Sequence, residues 1–204
     1  MKKQDRFPLE EYGDRSVLTT WTVSYEQVMR QSEAAAYLLK LWGFLDSGEL
    51  WYELFATGTA GMDEETRIPG WLHKIAEHEL EFEEAAGLLC RYSLADATAD
   101  SGSYSMHSVL HKWCGQLAEG HDRHELFCVA VRLVAANVPS MVDAEEWQKR
   151  KRLLAHGVSI SGWIDEQQKY TSEDKKVYIQ PKQYFDLGYL LDNLDKQRAL
   201  KMYR

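Results

Sequence analysis

Histidines and carboxylates are the residues of this chain best placed to do chemistry, and their spacing sorts them into a few groups. His107 and His111 stand four apart, so on a helix they share one face. Two imidazoles on one face could be a metal pair, although zinc takes three or four protein ligands. His73, Glu77 and Glu81 follow one another at intervals of four, with His78 beside them. On an unbroken helix they would form a metal face. The string His78-Glu79-Leu80-Glu81-Phe82, however, carries Phe82 where H-E-x-x-H needs its second histidine, and a solvated acidic face is the simpler reading. His121 and His124 bracket Asp122-Arg123 and read as a loop and a helix start. Ser159-Ile160-Ser161-Gly162 lacks the leading glycine of a nucleophile elbow. No G-x-x-x-x-G-K-[ST] string occurs, so no loop of that kind cradles phosphates. Cys90, Cys114 and Cys128 sit in apolar stretches without C-x-x-C spacing and read as core thiols of a reducing compartment. The expectation is a chain without catalytic residues or a resident metal.

The residue that stands apart is His107, because of the string around it: Tyr104-Ser105-Met106-His107-Ser108-Val109-Leu110-His111-Lys112-Trp113. A helical stretch ends before it at Cys90-Arg91-Tyr92-Ser93-Leu94, and a polar loop over 96–103, with Gly102 at its turn, lies between. The local reading is helix, strand, tight polar turn, strand, helix, with strands near 94–97 and 103–106. That is the order of a winged helix. His107 then falls where the second strand ends and the helix over 109–117 begins. The first N–H groups of a helix lack partners and attract anions, and a histidine there can add a hydrogen bond to a phosphate. A structural histidine at the junction is the alternative.

The flanking elements follow from periodicity and punctuation. Residues 1–15, with Pro8 and Gly13, read as an extended lead-in. Ser24 followed by Gln27 makes a capping box for a helix over 24–31, and Ser32 opens a second over 32–45, in which Gly43 signals close packing or an early end. Leu50, Trp51, Leu54 and Phe55 form the apolar face of a short third helix, and 58–70 is a loop with the acidic tip Asp63-Glu64-Glu65. Helical pieces run over 71–76 and 79–92. A strongly apolar helix covers 124–138 and stops at Pro139. Another covers 144–164, its last turns weakened by Gly157 and Gly162. The basic spots at Lys149-Arg150-Lys151-Arg152 and Asp174-Lys175-Lys176 read as solvated faces.

The bulk properties narrow the function classes. The 204 residues carry a formal charge of -8, which argues against general affinity for DNA, RNA or anionic membranes. A hydrophobic fraction of 45%, with seven Trp and eleven Tyr, suffices for a real core. No apolar stretch is long enough for a bilayer and no secretory signal follows Met1, so the expected location is the cytoplasm.

The Met106-His107 string resembles the Met-His-Asp motif that closes the nucleotide-binding module of STAND-type NTPases, the NB-ARC family, and most closely the fungal NLR-like members with tetratricopeptide repeats. Thr19-Thr20-Trp21 and Ser24-Tyr25-Glu26 are similar to the first helix of their winged-helix part. Tyr184-Phe185-Asp186-Leu187-Gly188-Tyr189-Leu190-Leu191 with Arg198-Ala199-Leu200-Lys201-Met202-Tyr203 resembles a tetratricopeptide helix pair, in which Gly188 lets the helices approach and Ala199 and Tyr203 fill the contact. The resemblance implies a mainly α chain: 1–15 lead-in, 16–120 winged-helix-like domain with a small β-hairpin, 121–180 helical spacer, 181–204 incomplete TPR-like repeat. It implies that His107 touches the β-phosphate of ADP in the closed receptor, with ADP or ATP bound only alongside an upstream NTPase domain and no cofactor in this chain alone. The motif's third residue is Ser108, which departs from the acidic pattern. The implied partners are that NTPase domain or full-length homologues, and protein ligands through downstream repeats. A free-standing helical protein-binding scaffold without a nucleotide role is the competing expectation.

Overall fold

The computed structural model describes residues 8–60, 68–98, 102–139, 146–170, 179–192 and 196–203. The acidic tip at 63–65, the Asp174-Lys175-Lys176 spot and the first seven residues of the expected lead-in lie outside them. Ten helices and three short strands are present among the described residues. In chain order they are α1 (Pro8–Gln31), α2 (Glu33–Trp42), β1 (Leu50–Trp51), α3 (Tyr52–Ala60), α4 (Gly70–Glu77), α5 (Glu79–Arg91), β2 (Asp96–Thr98), β3 (Ser103–Ser105), α6 (Ser108–Leu117), α7 (Gly120–Ala136), α8 (Glu146–Tyr170), α9 (Pro181–Leu191) and α10 (Lys196–Met202). Among the described residues no helix is long and apolar enough to cross a membrane.

The amino end departs from expectation. The segment expected to be extended up to residue 15 is helical from Pro8 onward, and α1 runs unbroken through Ser24, so the Ser24–Gln27 capping box does not form. Proline is at home in the first turn of a helix, where its missing N–H costs nothing. Ser32 is a true N-cap: its hydroxyl accepts from the Ala35 N–H at 3.2 Å and opens α2. Gly43 ends α2 and also packs closely, since a Cβ built on it would lie 2.5 Å from the Gly115 nitrogen in α6.

The hairpin β2–β3 lies within two residues of its expected place, with Gly102 turning at φ +58. A third strand was not expected. Leu50 and Trp51 form β1 instead of starting a helix, pairing antiparallel with β3 as Leu50 with Tyr104 and Trp51 with Ser103. The sheet order is β1-β3-β2. Four apolar residues at 50, 51, 54 and 55 fit a helix face, but the open edge of β3 supplies backbone partners that outweigh this weak local preference. His78 is the residue where α4 stops and α5 begins, in extended conformation.

Helix α8 continues through Gly157 and Gly162. Gly157 is a contact point: a Cβ there would lie 2.7 Å from Leu190 of α9. The basic run on α8 is not simply solvated. Arg150 donates to the Tyr189 and Leu190 carbonyls at the end of α9, while Arg152 pairs with Glu49 at 2.7 Å and lies 4.1 Å over the Trp51 ring. The expected pairing of the last two helices is present: α9 and α10 pack together, Ala199 is fully buried, and a Cβ on Gly188 would lie 2.6 Å from the Tyr203 ring. Buried residues from Val28 on α1 to Met202 on α10 form one connected core.

These contacts rank two glycine substitutions. At Gly43 an added methyl meets backbone of α6, which cannot swing away; at Gly188 it meets a half-exposed Tyr203 ring, which can. Overpacking typically costs 1–3 kcal/mol, partly offset at Gly188 by about 1 kcal/mol of helix propensity. Gly43→Ala is therefore expected to cost about 3 kcal/mol and Gly188→Ala about 1 kcal/mol or less. Urea unfolding midpoints measure both, and equal costs would contradict the assigned packing.

Candidate functional site

The strand–helix junction after β3 builds the site around His107. Met106 is buried, and its N–H donates to the Ser47 carbonyl at 2.8 Å, tying the junction to the turn before β1. The next residue leaves the sheet. His107 is the N-cap of α6, with extended backbone, and its Nδ1 accepts the Val109 N–H at 3.3 Å. The ring thus satisfies one of the orphan donors of its own helix. With Nδ1 accepting, the neutral ring carries its proton on Nε2. The residue is exposed, as are Ser108 and Val109 beside it.

His111 does not join His107 in a metal pair. Its Nε2 lies 3.1 Å from the Trp42 carbonyl and 2.9 Å from the Leu45 carbonyl, so it is a proton donor turned into the protein. The face of 73, 77 and 81 is also broken up. His78 interrupts the helix, His73 pairs with Glu77 at 3.4 Å, and Glu81 on α5 pairs with Lys74 at 2.9 Å. Among the described residues no cluster of three metal-ligating side chains exists. His121 and His124 both lie on α7.

Around the junction, α1 lies against α6 through aromatics. Trp113 is 5.9 Å from Trp21 and 6.2 Å, edge-on, from Tyr25. Val17, Leu18 and Val23 of α1 are exposed, and so is Val109 at the start of α6. Two open clefts lie elsewhere. One of ≈ 370 Å³ is bordered by Thr59, His73 and Glu77; one of ≈ 480 Å³ is bordered by Gln31, Lys74, Glu84 and Arg91, and neither includes His107.

A buried polar cluster that sequence reasoning missed joins α8 to the turn before β1. The Asp46 N–H donates to His156 Nδ1 at 2.9 Å, and the His156 ring lies 5.4 Å from that of Trp51. Ser159 Oγ donates to the Phe44 and Leu45 carbonyls at 3.2 and 3.0 Å. His156 is fully buried and its Nε2 has no hydrogen-bond partner. Burial pushes its pKa down to about 4, against the pull of Asp46 and Glu49, while Arg152 adds to the depression. The visible signal was only a histidine on an apolar helix stretch, which carries no address for its partners.

Comparison with family models, with curated proteins and with solved structures gave no match.

His156 makes stability depend on pH in a stated direction. The unfolded chain binds this proton at about pH 6.5 and the folded chain only near 4. Stability attributable to the neutral ring is complete above pH 6.5 and is lost as pH falls to 4, for a total of about 3 kcal/mol. Urea unfolding at steps between pH 7 and 4 should show that loss in the wild type and much less of it in His156→Gln. Parallel curves for the two proteins would refute the assignment.

Proposed function

We propose that this chain is a non-catalytic regulatory and protein-interaction module of a STAND NTPase of the NB-ARC type, closing over ADP held chiefly by a partner NTPase domain. The observation that carries the reading is His107: an exposed N-cap at a tightly tied strand–helix junction, its Nδ1 engaged by its own helix. The order α2, β1, α3 with α4, α5, β2, β3 and the sheet order β1-β3-β2 support a winged helix. In that reading α7 and α8 are the spacer and α9–α10 a TPR-like pair, supported by the fit of Gly188, Ala199 and Tyr203. A DNA-reading role fits poorly. The helix before the hairpin, α5, exposes Glu79, Glu83 and Glu84, which would face phosphates with like charge. The module acts in the cytoplasm, away from nucleic acid and membrane.

A second reading, the free-standing helical scaffold, is favoured by one observation. The core is continuous from Val28 to Met202, so the tail is packed as part of the same body.

Ser108, in place of the family's acidic residue, leaves His107 as the motif's polar contact to the ligand. A hydrogen bond to a charged group contributes about 1.5–3 kcal/mol, equivalent to about ten- to a hundredfold in affinity. With the chain joined to an NB-ARC NTPase domain, His107→Ala should weaken ADP retention by that factor and raise the open, oligomeric fraction, because the contact exists only in the closed state. Nucleotide release and sedimentation measure it. Unchanged retention and an unchanged size distribution would assign His107 a structural role and favour the scaffold.

A further inference from the structure

We infer that His111 is a positioning residue for His107: it holds the first turn of α6 so that the exposed His107 ring keeps its place on the Val109 N–H. The purpose of that positioning rests on the phosphate reading above; its geometry does not. A ring on an exposed N-cap has a fixed direction only if the backbone beneath it is fixed. The His107 ring is tied to α6 by the Val109 N–H, and the His107 carbonyl is tied to it by the His111 N–H at 2.9 Å. Both bonds belong to the first turn, which is the part of a helix that frays. Leu110 anchors that turn in the apolar core, and the His111 side chain supplies its directional polar tie to the rest of the protein. Its Nε2–H is shared between the Trp42 carbonyl at 3.1 Å and the Leu45 carbonyl at 2.9 Å, at the carboxyl end of α2. On the strand side Met106 is tied to Ser47. His107 is therefore held from both directions, and these polar ties end on the stretch from Trp42, the last residue of α2, to Ser47 before β1.

The arrangement is specific to a donor. The acceptors are two carbonyls at the negative end of α2, and a group of the same volume without an N–H takes one donor from each, leaving the Leu45 N–H on the Trp42 carbonyl and Ser159 on that of Leu45. Ser159 provides the internal control. Its hydroxyl also donates to the Leu45 carbonyl, but from α8, with no bond to α6.

The test uses this chain without nucleotide. His111→Phe keeps the ring and removes the donor; His111→Gln keeps an N–H donor; Ser159→Ala removes the other donor from the same carbonyl. The readouts are hydrogen exchange at the Val109 amide and the NMR signal of the His107 ring. His111→Phe should speed Val109 exchange about tenfold or more relative to core amides, as expected when one hydrogen bond to a helix start is released. It should also move the His107 signal toward that of a freely rotating imidazole. His111→Gln should restore most of both, and Ser159→Ala should leave both in place. Unchanged readouts in His111→Phe, or equal changes in Ser159→Ala, would overturn the inference. Should His111→Phe fail to fold, the wild type decides: the His111 ring must show a slowly exchanging proton on Nε2, and a rapidly exchanging one would overturn it. ADP retention beside an NB-ARC NTPase domain separates the two readings. If His107→Ala retains ADP, the phosphate reading falls while the ring signature still judges the positioning. If His107→Ala loses ADP and His111→Phe keeps it, the positioning falls.

Discussion

Gly43 at the end of α2 meets Gly115 of α6 backbone against backbone, so close that a Cβ on Gly43 would lie 2.5 Å from the Gly115 nitrogen. Much of the architecture depends on it. No side chain separates the two, so the carboxyl end of α2 and the body of α6 are held at the minimum distance. The strand β1 follows α2 and the strand β3 precedes α6, so this crossing also sets the distance at which those strands meet. Arg123 secures it from α7: its Nη1 donates to the Gly115 carbonyl at 2.6 Å while the guanidinium lies over Phe44 and Trp163. Trp163 belongs to α8, so side chains from α7 and α8 close over the crossing of α2's end with α6.

Polar groups then specify which surfaces meet around that apolar centre. Asn137, almost fully buried at the end of α7, donates to the Leu54 and Leu133 carbonyls at 2.8 and 2.9 Å and joins α7 to α3. On α8, Arg150 grips the end of α9 and Arg152 grips Glu49 and Trp51. Residues two apart on a helix point to roughly opposite sides, so α8 holds the helix pair on one flank and the sheet on the other. Net contributions of single hydrogen bonds are small, about 1 kcal/mol. Their directional demands nevertheless restrict the docking of α8 more than its apolar residues Leu153 and Ile160 do alone.

The sequence made legible those features that rest on local rules. Ser32 as a cap and Gly102 as a turn follow from backbone conformations a few residues apart, while the contact of Gly188 with Tyr203 was read from the resemblance to a tetratricopeptide helix pair. His107 at the start of α6 was legible from the same local rules. Three features were not. The strand β1 exists because β3, far away in the chain, offers an edge; its own residues fit a helix face equally well. The helix over 8–15 does not announce itself, because Pro8 and Gly13 are residues of loops as well as of helix starts. The partners of His111 and His156 are backbone groups near residues 42 to 46, and a backbone carbonyl or N–H has no identity in a sequence.

The pairing of β1 with β3 also carries a kinetic consequence. The hairpin β2–β3 closes a loop of a few residues, but Trp51 meets Ser103 only after the chain has turned back across about fifty. Loop-closure entropy grows by about 0.6 kcal/mol per doubling of length, which places the second closure about 2 kcal/mol above the first. Helices α3, α4 and α5 lie within that loop, and as they form they shorten the path the chain must close. Loop-closure entropy thus favours the hairpin β2–β3 before β1 adds to the other edge of β3. The ties of His111 and His156 to residues 42–46 likewise join segments more than sixty residues apart, so they carry a loop-closure cost of the same kind.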